Sequence, residues 1–190
     1  MLERLTIVAA MVITTACYRA SPEPPAPMPG AVTAPEENYF IGRALMVPVD
    51  GVSPRDLRDS FTAPRGGGRV HGAIDILAPR GTPVVAATDG EVIRLRQNSA
   101  GGITAYLIDE ARRYIYYYAH LDHYSDQITE GLKVKQGFVI GYVGTSGNAP
   151  PDTPHLHFQV MRLAEGQRDW WNGTPIDVRP LITRTGKASR

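Results

Sequence analysis

The stretch 154-PHLHFQV-160 places two histidines two positions apart within an apolar run. Alternate side chains of a β-strand point to the same face of a sheet, so a strand here would carry His155 and His157 on one face. Leu156 and Phe158 would then face the opposite side. Because the Cα atoms of the two histidines would lie about 6.5 Å apart, both rings could converge on one centre. The stretch therefore predicts a strand whose polar face can bind a metal ion.

A second stretch, 70-VHGAID-75, supplies the further ligands that such a pair requires. His71 and Asp75 are four positions apart, and in a straight strand they would share a face at a separation of about 13 Å. Gly72 between them predicts a bend or a bulge that brings the two side chains together. With one histidine of the later pair, they would form a catalytic zinc set of two imidazoles and one carboxylate, with a position left open for water.

Each of these residues also has an ordinary structural interpretation. A histidine beside a glycine is typical of a surface turn, a carboxylate between isoleucines can be satisfied by backbone amides, and a histidine pair at this spacing can arise by chance. Other zinc folds with such a pair need ligands that this sequence lacks. They are an Asp-His pair directly after the second histidine for metallo-β-lactamases, a glutamate three or four residues beyond the pair for cupins, and a third histidine downstream of residue 157 for α-carbonic anhydrases.

The remaining sequence favours many short strands over long helices. Its 19 glycines and 16 prolines fall mostly between short apolar runs, which is typical of strands joined by turns. The Asp89-Gly90 pair predicts a hairpin, and the only candidate short helices are 54–61 and 161–171. The expected fold class is all-β. The runs that predict strands are 73–77, 83–88, 91–97, 104–109, 112–121, 138–144 and 155–161.

The first residues differ in composition from the rest. Residues 1–16 combine Arg4, an apolar run and a small-residue end, which is the layout of a secretory signal peptide. Cys17, the single cysteine of the chain, follows directly and predicts lipid attachment. An ordinary signal cut nearby and an uncleaved anchor are the alternatives.

A proline-rich segment follows. Six of the 15 residues in 21–35 are proline, a composition that favours an extended polyproline II linker. We therefore expect a linker over 17–38 and one folded domain over 39–190. The 20 basic and 19 acidic residues give a net charge of +1, so no nucleic-acid partner is expected.

Four stretches together resemble the lysostaphin-type, or LytM-like, zinc endopeptidases of bacterial cell walls. The resemblance covers about residues 44–183 and implies a compact antiparallel β-sandwich that holds the metal in a groove. It implies hydrolysis of peptide bonds in peptidoglycan cross-links or stem peptides. The stretches are GGGRVHGAIDILAPRGTPVVAATDGEVIRL (66–95), YYYAHL (116–121), KVKQGFVIGYVGTSGNAPPDTPHLHFQV (133–160) and NGTPIDVRPLI (172–182).

The resemblance also assigns roles to individual residues. It implies one Zn²⁺ per chain, held by His71, Asp75 and His157. It implies that His155 is the general base and that His120 orients water and stabilises the oxyanion. Where this family commonly has Glu after the histidine pair, the chain has Gln159, which could orient an imidazole as a neutral amide.

Two further residues are candidates for the substrate groove. A strand from Tyr114 would place Tyr116, Tyr118 and His120 on its face, so Tyr118 could line the groove or equally belong to the core. Arg69, in the glycine-rich approach to the first ligand, could contact an acidic peptide or be a solvated loop charge.

The resemblance leaves a rival function open. Some family members are catalytically silent and bind peptidoglycan or activate other cell-wall hydrolases, and here a groove blocked by loop 51–70 would have that effect. The expected partners are peptidoglycan peptides, the membrane through a lipid on Cys17, and possible hydrolase partners. The expected location is the periplasmic face of the cell envelope, as an outer-membrane lipoprotein.

Overall fold

The computed structural model describes residues 30–167 and 169–185. The predicted signal peptide over 1–16 and the lipidation site Cys17 lie outside these residues. Among the described residues, strands predominate over helices, so the prediction of an all-β antiparallel fold with a few short helices is confirmed. The elements are α1 (Ala34–Arg43), β1 (Pro64–Arg65), β2 (Arg69–Val70), β3 (Ile74–Leu77), β4 (Pro83–Val85), β5 (Gly90–Asn98), β6 (Gly102–Ile108), β7 (Tyr114–Tyr124), β8 (Lys133–Val134), β9 (Val139–Val143), β10 (His155–Arg162), β11 (Thr174–Ile176) and α2 (Arg179–Thr185), with single 3₁₀ turns at Pro54–Asp56, Gly66–Gly68 and Trp170–Asn172.

The strand order places β10 at the centre of the ligand-bearing region. The main sheet runs β11-β10-β7-β6-β5-β8, with β3 also paired to β10, and β9 joining β7 to β4. In this antiparallel register His157 lies opposite Asp75 on β3 and opposite Ala119 on β7. The two stretches that carry the candidate ligands are therefore hydrogen-bonded neighbours.

The core lies on the apolar face of these strands. Leu156, Phe158 and Val160 of β10 are at most 1% exposed, and so are Tyr116 and Tyr118 of β7. Burying an aliphatic or aromatic side chain of this size contributes about 1.5–3 kcal/mol, so this packing holds β10 firmly in register. The alternating residues of β10, including both histidines, remain on the other face, as the sequence predicted.

The alternation in β7 breaks next to the site, which corrects one expectation. His120 has a left-handed φ of 61°, and the pairing of β6 with β7 slips by one residue between Ile103 and Ala105. Such a bulge reverses the side-chain phase along a strand. His120 therefore lies on the same side as Tyr117, whereas Tyr118 points into the core, and the predicted shared face of Tyr118 and His120 is wrong.

Helix α1 was not predicted and moves the domain boundary. It begins inside the segment 17–38 that the proline content assigned to the linker, and upstream of it Gly30 pairs with Ile176. Glu36 is buried against Arg162, and Phe40 is fully buried in the core. The boundary predicted at residue 39 therefore comes too late. None of the helices in the described ranges is long and apolar enough to cross a membrane.

The predicted hairpin at Asp89-Gly90 is also wrong. β4 pairs with β9, and β5 pairs with β6 and β8. Asp89 accepts hydrogen bonds from the backbone amide of Gln136 and from the Lys135 ammonium. The turn is therefore a connection between non-neighbouring strands, held by side-chain contacts that a local motif does not reveal.

Candidate active site

The chain bends at Gly72 and brings His71 to Asp75. Gly72 has φ +69°, a left-handed conformation that glycine adopts without steric cost. His71 Nε2 lies 3.1 Å from Asp75 Oδ1, so the bend predicted from the glycine is confirmed. The Gln159 side-chain amide donates to the Gly72 carbonyl oxygen at 3.0 Å. Gln159 therefore supports the backbone of the bend, and the expectation that it orients an imidazole is not met.

His157 brings a third donor to the same point from β10. Its Nδ1 lies 2.9 Å from His71 Nε2 and 3.1 Å from Asp75 Oδ1. Among the described residues this triad is the one group of histidine, cysteine and carboxylate side chains close enough to hold a metal. Four ligands around zinc at 2.0–2.1 Å lie about 3.3 Å apart, so the spacing of the triad fits such an ion closely.

The protonation state of the triad also favours a bound cation. The Ser60 carbonyl lies 3.0 Å from His71 Nδ1, and because a carbonyl only accepts, this nitrogen carries the hydrogen and Nε2 presents a lone pair. Burial raises the pKa of Asp75, but the His157 and His71 rings lower it by more, so the carboxylate stays charged. Burial lowers the pKa of His157 and favours its neutral form. A charged carboxylate beside two imidazole rings is a donor set that suits a divalent cation such as zinc.

Two more histidines face the same groove with their tautomers fixed. His155 Nδ1 donates to the Thr153 carbonyl and His120 Nδ1 to the Ser146 carbonyl, each at 2.8 Å. Their Nε2 atoms are therefore left available, and His155 Nε2 is 3.9 Å from Asp75 Oδ1. Their ring centroids lie 5.0 Å apart. Burial lowers the pKa of His120, so this ring is neutral at physiological pH.

The triad, His120 and His155 line an open groove of about 750 Å³. Loop 51–70 forms one of its walls, with Arg69 among the lining residues, and the groove is not filled by this loop. Tyr118 is 0% exposed, and its hydroxyl accepts the Ala87 amide at 3.0 Å. The prediction that Tyr118 lines the groove is therefore wrong, because the bulge places Tyr117 there instead.

Other candidates lie away from this groove. His123 is exposed and stacks on Tyr142 with ring centroids 4.5 Å apart. A larger cavity of about 1230 Å³ surrounds Arg113 and Trp170 beyond the other end of β7. It contains no metal-binding cluster among the described residues. Among the described residues, the histidine-lined groove is therefore the candidate active site.

A family model, described as peptidase family M23, matches residues 69–178. The chain belongs to peptidase family M23. The matched range includes the triad, His120 and His155, which lie together in the groove. The sequence did not single out Tyr117, because its place in the groove depends on the bulge between β6 and β7, which no local motif marks. Sequence reasoning also missed the carbonyls of Ser60, Ser146 and Thr153, which no sequence motif marks.

This M23 domain resembles proteins of several bacteria. It is 37% identical over 110 residues to the L-Ala--D-Glu endopeptidase of Bacillus subtilis, covering 55% of this chain and 33% of that protein. It is 42% identical over 127 residues to the DD-carboxypeptidase/endopeptidase Mpg of Neisseria meningitidis, covering 64% of this chain and 26% of that protein. The chain thus spans a third or less of either relative.

A solved structure shares the fold. The catalytic domain of lysostaphin from Staphylococcus simulans superposes with a TM-score of 0.52 at 30% identity, covering 63% of this chain and 84% of that chain. The M23 domain of this chain therefore has a lysostaphin-like fold.

Proposed function

We propose that this protein is a zinc-dependent endopeptidase that hydrolyses peptide bonds in bacterial peptidoglycan. The observation that carries the proposal is the convergence of three ligand atoms, all within 4.8 Å of one another, beside two further histidines in an open groove. The relatives described above support the substrate class, because one is named as an L-Ala--D-Glu endopeptidase and the other as a DD-carboxypeptidase/endopeptidase, and bonds to D-amino acids are typical of peptidoglycan peptides.

The triad would hold the zinc ion in this proposal. His71 Nε2, Asp75 Oδ1 and His157 Nδ1 are the donor atoms, and the Ser60 carbonyl orients the first of them. A zinc ion with an open position polarises a scissile carbonyl and lowers the pKa of a water molecule to about 7. Proton transfer and the orientation of the water are carried out by side chains of the protein.

His155 is the general base. Its Nδ1 hydrogen is held by the Thr153 carbonyl, so its free Nε2 accepts a proton from the attacking water. The same atom can then deliver that proton to the leaving amine nitrogen as the C–N bond breaks. Because it lies beside Asp75 and not within the three-atom cluster, its removal should leave the zinc ligands in place.

His120 orients the water. As a neutral ring that donates through Nδ1 to Ser146, it offers Nε2 as an acceptor. It can therefore hold one hydrogen of the water while His155 removes the other. Donation to the oxyanion, the second role that the resemblance implies, requires a proton on the same Nε2 atom.

Purified sacculi test the proposal directly. The zinc-loaded protein should release soluble muropeptides, and His155→Ala should lower the rate about 10²–10⁴-fold while one zinc per chain remains bound. His157→Ala should lose both zinc and activity. His123→Ala is the matched control, since this histidine lies outside the groove, and it should retain both.

The rival function gives a different pattern. One bound zinc with no released product, from sacculi of several cross-link types, would identify a binding or activating module and overturn the enzymatic proposal. Mass spectrometry of any products would identify the bond that is cut, since the relatives are named for different bonds.

We further propose that the protein is attached to the periplasmic face of the cell envelope by a lipid on Cys17. Support comes from the apolar run that precedes this cysteine and the proline-rich segment that follows it. Labelled palmitate should enter the wild-type protein and not Cys17→Ser, and the variant should leave the outer-membrane fraction. An unlabelled wild type would contradict the anchor.

A further inference from the structure

One wall of the groove carries positive charge. Three arginines of the segment before His71 line it, two of them on the β1–β2 hairpin whose tip is Gly66–Gly68. The facing wall is formed by uncharged residues of two loops that are joined by a hydrogen bond from Asn148 to the Ala100 carbonyl. The arginines are Arg58, Arg65 and Arg69, and the facing residues are Ala100, Gly101, Asn148, Ala149, Pro150 and Thr153.

The charge of this wall is only partly compensated. Arg65 lies 3.5 Å from Asp75 Oδ2, the carboxylate oxygen that faces away from the triad. Arg69 donates to the Gly66 carbonyl at 3.2 Å, and Arg58 forms no ion pair with any described residue. Asp75 is the single carboxylate among the described residues that line the groove. With zinc bound, the groove would carry a clear positive excess.

An anionic substrate fits this asymmetry. An arginine presents a planar fork of donors that matches a carboxylate, and a cleft lined by one sign of charge concentrates ligands of the opposite sign. Both Arg58 and Arg69 are exposed, so neither guanidinium is needed by the core. A neutral, glycine-rich peptide bridge has no carboxylate side chain to form charge-assisted hydrogen bonds with this wall.

We propose that Arg58 and Arg69 bind free carboxylates of the substrate, so that the protein acts on carboxylate-bearing stem peptides in preference to amidated or glycine-rich ones. This inference rests on the proposed function only in taking the groove as the place where peptidoglycan peptides bind. The carboxylates would lie along the wall that carries His71.

Paired muropeptides provide the test. The two members are identical except that the free α- and side-chain carboxylates of one are amidated. We expect kcat/KM of the zinc-loaded protein to be about tenfold higher for the acid form, as one charge-assisted hydrogen bond predicts. Arg58→Gln and Arg69→Gln should each reduce kcat/KM several-fold more for the acid form than for the amidated form, so that the preference for the acid form falls.

Arg112→Gln is the matched control, because Arg112 is an exposed arginine that pairs with Glu91 away from the groove. It should keep the full preference for the acid form. Raising the salt concentration should reduce the preference in the unaltered protein. Equal kcat/KM for the two muropeptides, or an equal loss on both in the groove variants, would overturn the inference.

A binding measurement separates this inference from the proposed function. If the unaltered protein hydrolyses neither muropeptide, the enzymatic proposal fails and the dissociation constants of the same pair for the zinc-loaded protein decide the inference. Tighter binding of the acid form that is lost in Arg69→Gln would support it. Equal binding of the two forms would refute it.

Discussion

The bend at Gly72 joins two ligands that the sequence places too far apart for a straight strand. A Cβ atom added at Gly72 would lie 3.3 Å from Gln159 Nε2 and 3.3 Å from Pro175 Cβ. The left-handed backbone itself costs a non-glycine residue about 1–2 kcal/mol. We expect Gly72→Ala to lower the free energy of unfolding by about this amount and to weaken zinc binding about tenfold, since support of metal ligands is worth 10–100-fold.

Gly51→Ala separates backbone strain from the geometry of the site. Gly51 has a similar φ of +72°, but an added Cβ would meet nothing within 4 Å. Urea titrations should show a similar loss of stability in Gly51→Ala. Competition with a chelator should show that its zinc affinity is unchanged. Equal zinc affinity in both variants would show that the bend does not position the ligands.

The neighbouring tyrosines of β7 give a second prediction at this scale. Tyr118→Phe leaves the buried Ala87 amide without its acceptor, which should lower the free energy of unfolding by about 1–3 kcal/mol and leave hydrolysis of sacculi unchanged. Tyr117→Phe should instead change KM, because Tyr117 lines the groove. A change in KM for Tyr118→Phe would contradict the placement of Tyr118 in the core.

Individual residues were predictable where a local rule applied. The histidine pair follows from strand alternation, and the glycine bend follows from residue type. Tyr118 could not be placed, because one residue at positive φ, His120, reverses the alternation along β7. That reversal depends on pairing with β6, which the sequence of β7 alone does not contain.

At the scale of elements, α1 is attached by a buried charged cluster. Glu36 accepts hydrogen bonds from Arg162, from the Tyr114 hydroxyl at 3.2 Å and from the Thr33 amide at 2.8 Å. Burial raises the pKa of Glu36, but Arg162 and Thr33 together bring it below its ordinary value. Arg162 belongs to β10, so this cluster connects α1 to the strand that carries His155 and His157.

The lowered pKa makes part of the stability depend on pH. The folded state binds the Glu36 proton less well than the unfolded state, so this contribution is fully present above the ordinary pKa and is lost as pH falls through the lowered one. Glu36→Gln should cost about 2 kcal/mol at neutral pH. The difference from wild type in urea titrations should shrink as pH decreases.

Glu110→Gln controls for the general effect of removing a negative charge, since Glu110 is exposed. It should be close to wild type at all pH values. A stability difference between Glu36→Gln and wild type that is constant from neutral pH to below pH 4 would contradict the role of the Glu36 carboxylate.

The strands were easier to predict than the helices. Short apolar runs separated by turn residues or charged residues marked β3, β6, β7, β9 and β10. Helix α1 has only 10 residues and follows a proline-rich segment, and helices of this length depend on tertiary contacts for their stability. Those contacts involve Arg162 and Asp109, which lie far along the chain.

On the scale of the whole molecule, zinc should stabilise the fold, because its ligands come from β3, from β10 and from the bend before β3. At a free zinc concentration of about 1,000 times the dissociation constant, binding adds about 4 kcal/mol, which raises Tm by about 10 °C for a domain of this size. A chelator should reverse the shift. His155→Ala should keep the zinc-dependent shift and His157→Ala should lose it, and a shift retained by His157→Ala would place the ion elsewhere.

The arrangement of the whole molecule was predictable mainly through the family resemblance. The order of the motifs indicated one domain with a groove, and the family match supports that fold. The ordered start of the domain and the charged wall of the groove were not predictable, because each depends on which distant segments lie side by side.

X-ray diffraction at the zinc absorption edge, on crystals of the zinc-loaded protein, would locate the ion directly. We expect one anomalous peak within bonding distance of His71 Nε2, Asp75 Oδ1 and His157 Nδ1, with His155 and His120 outside that distance. A peak at another place, or a fourth protein side chain bonded to the ion, would contradict this expectation.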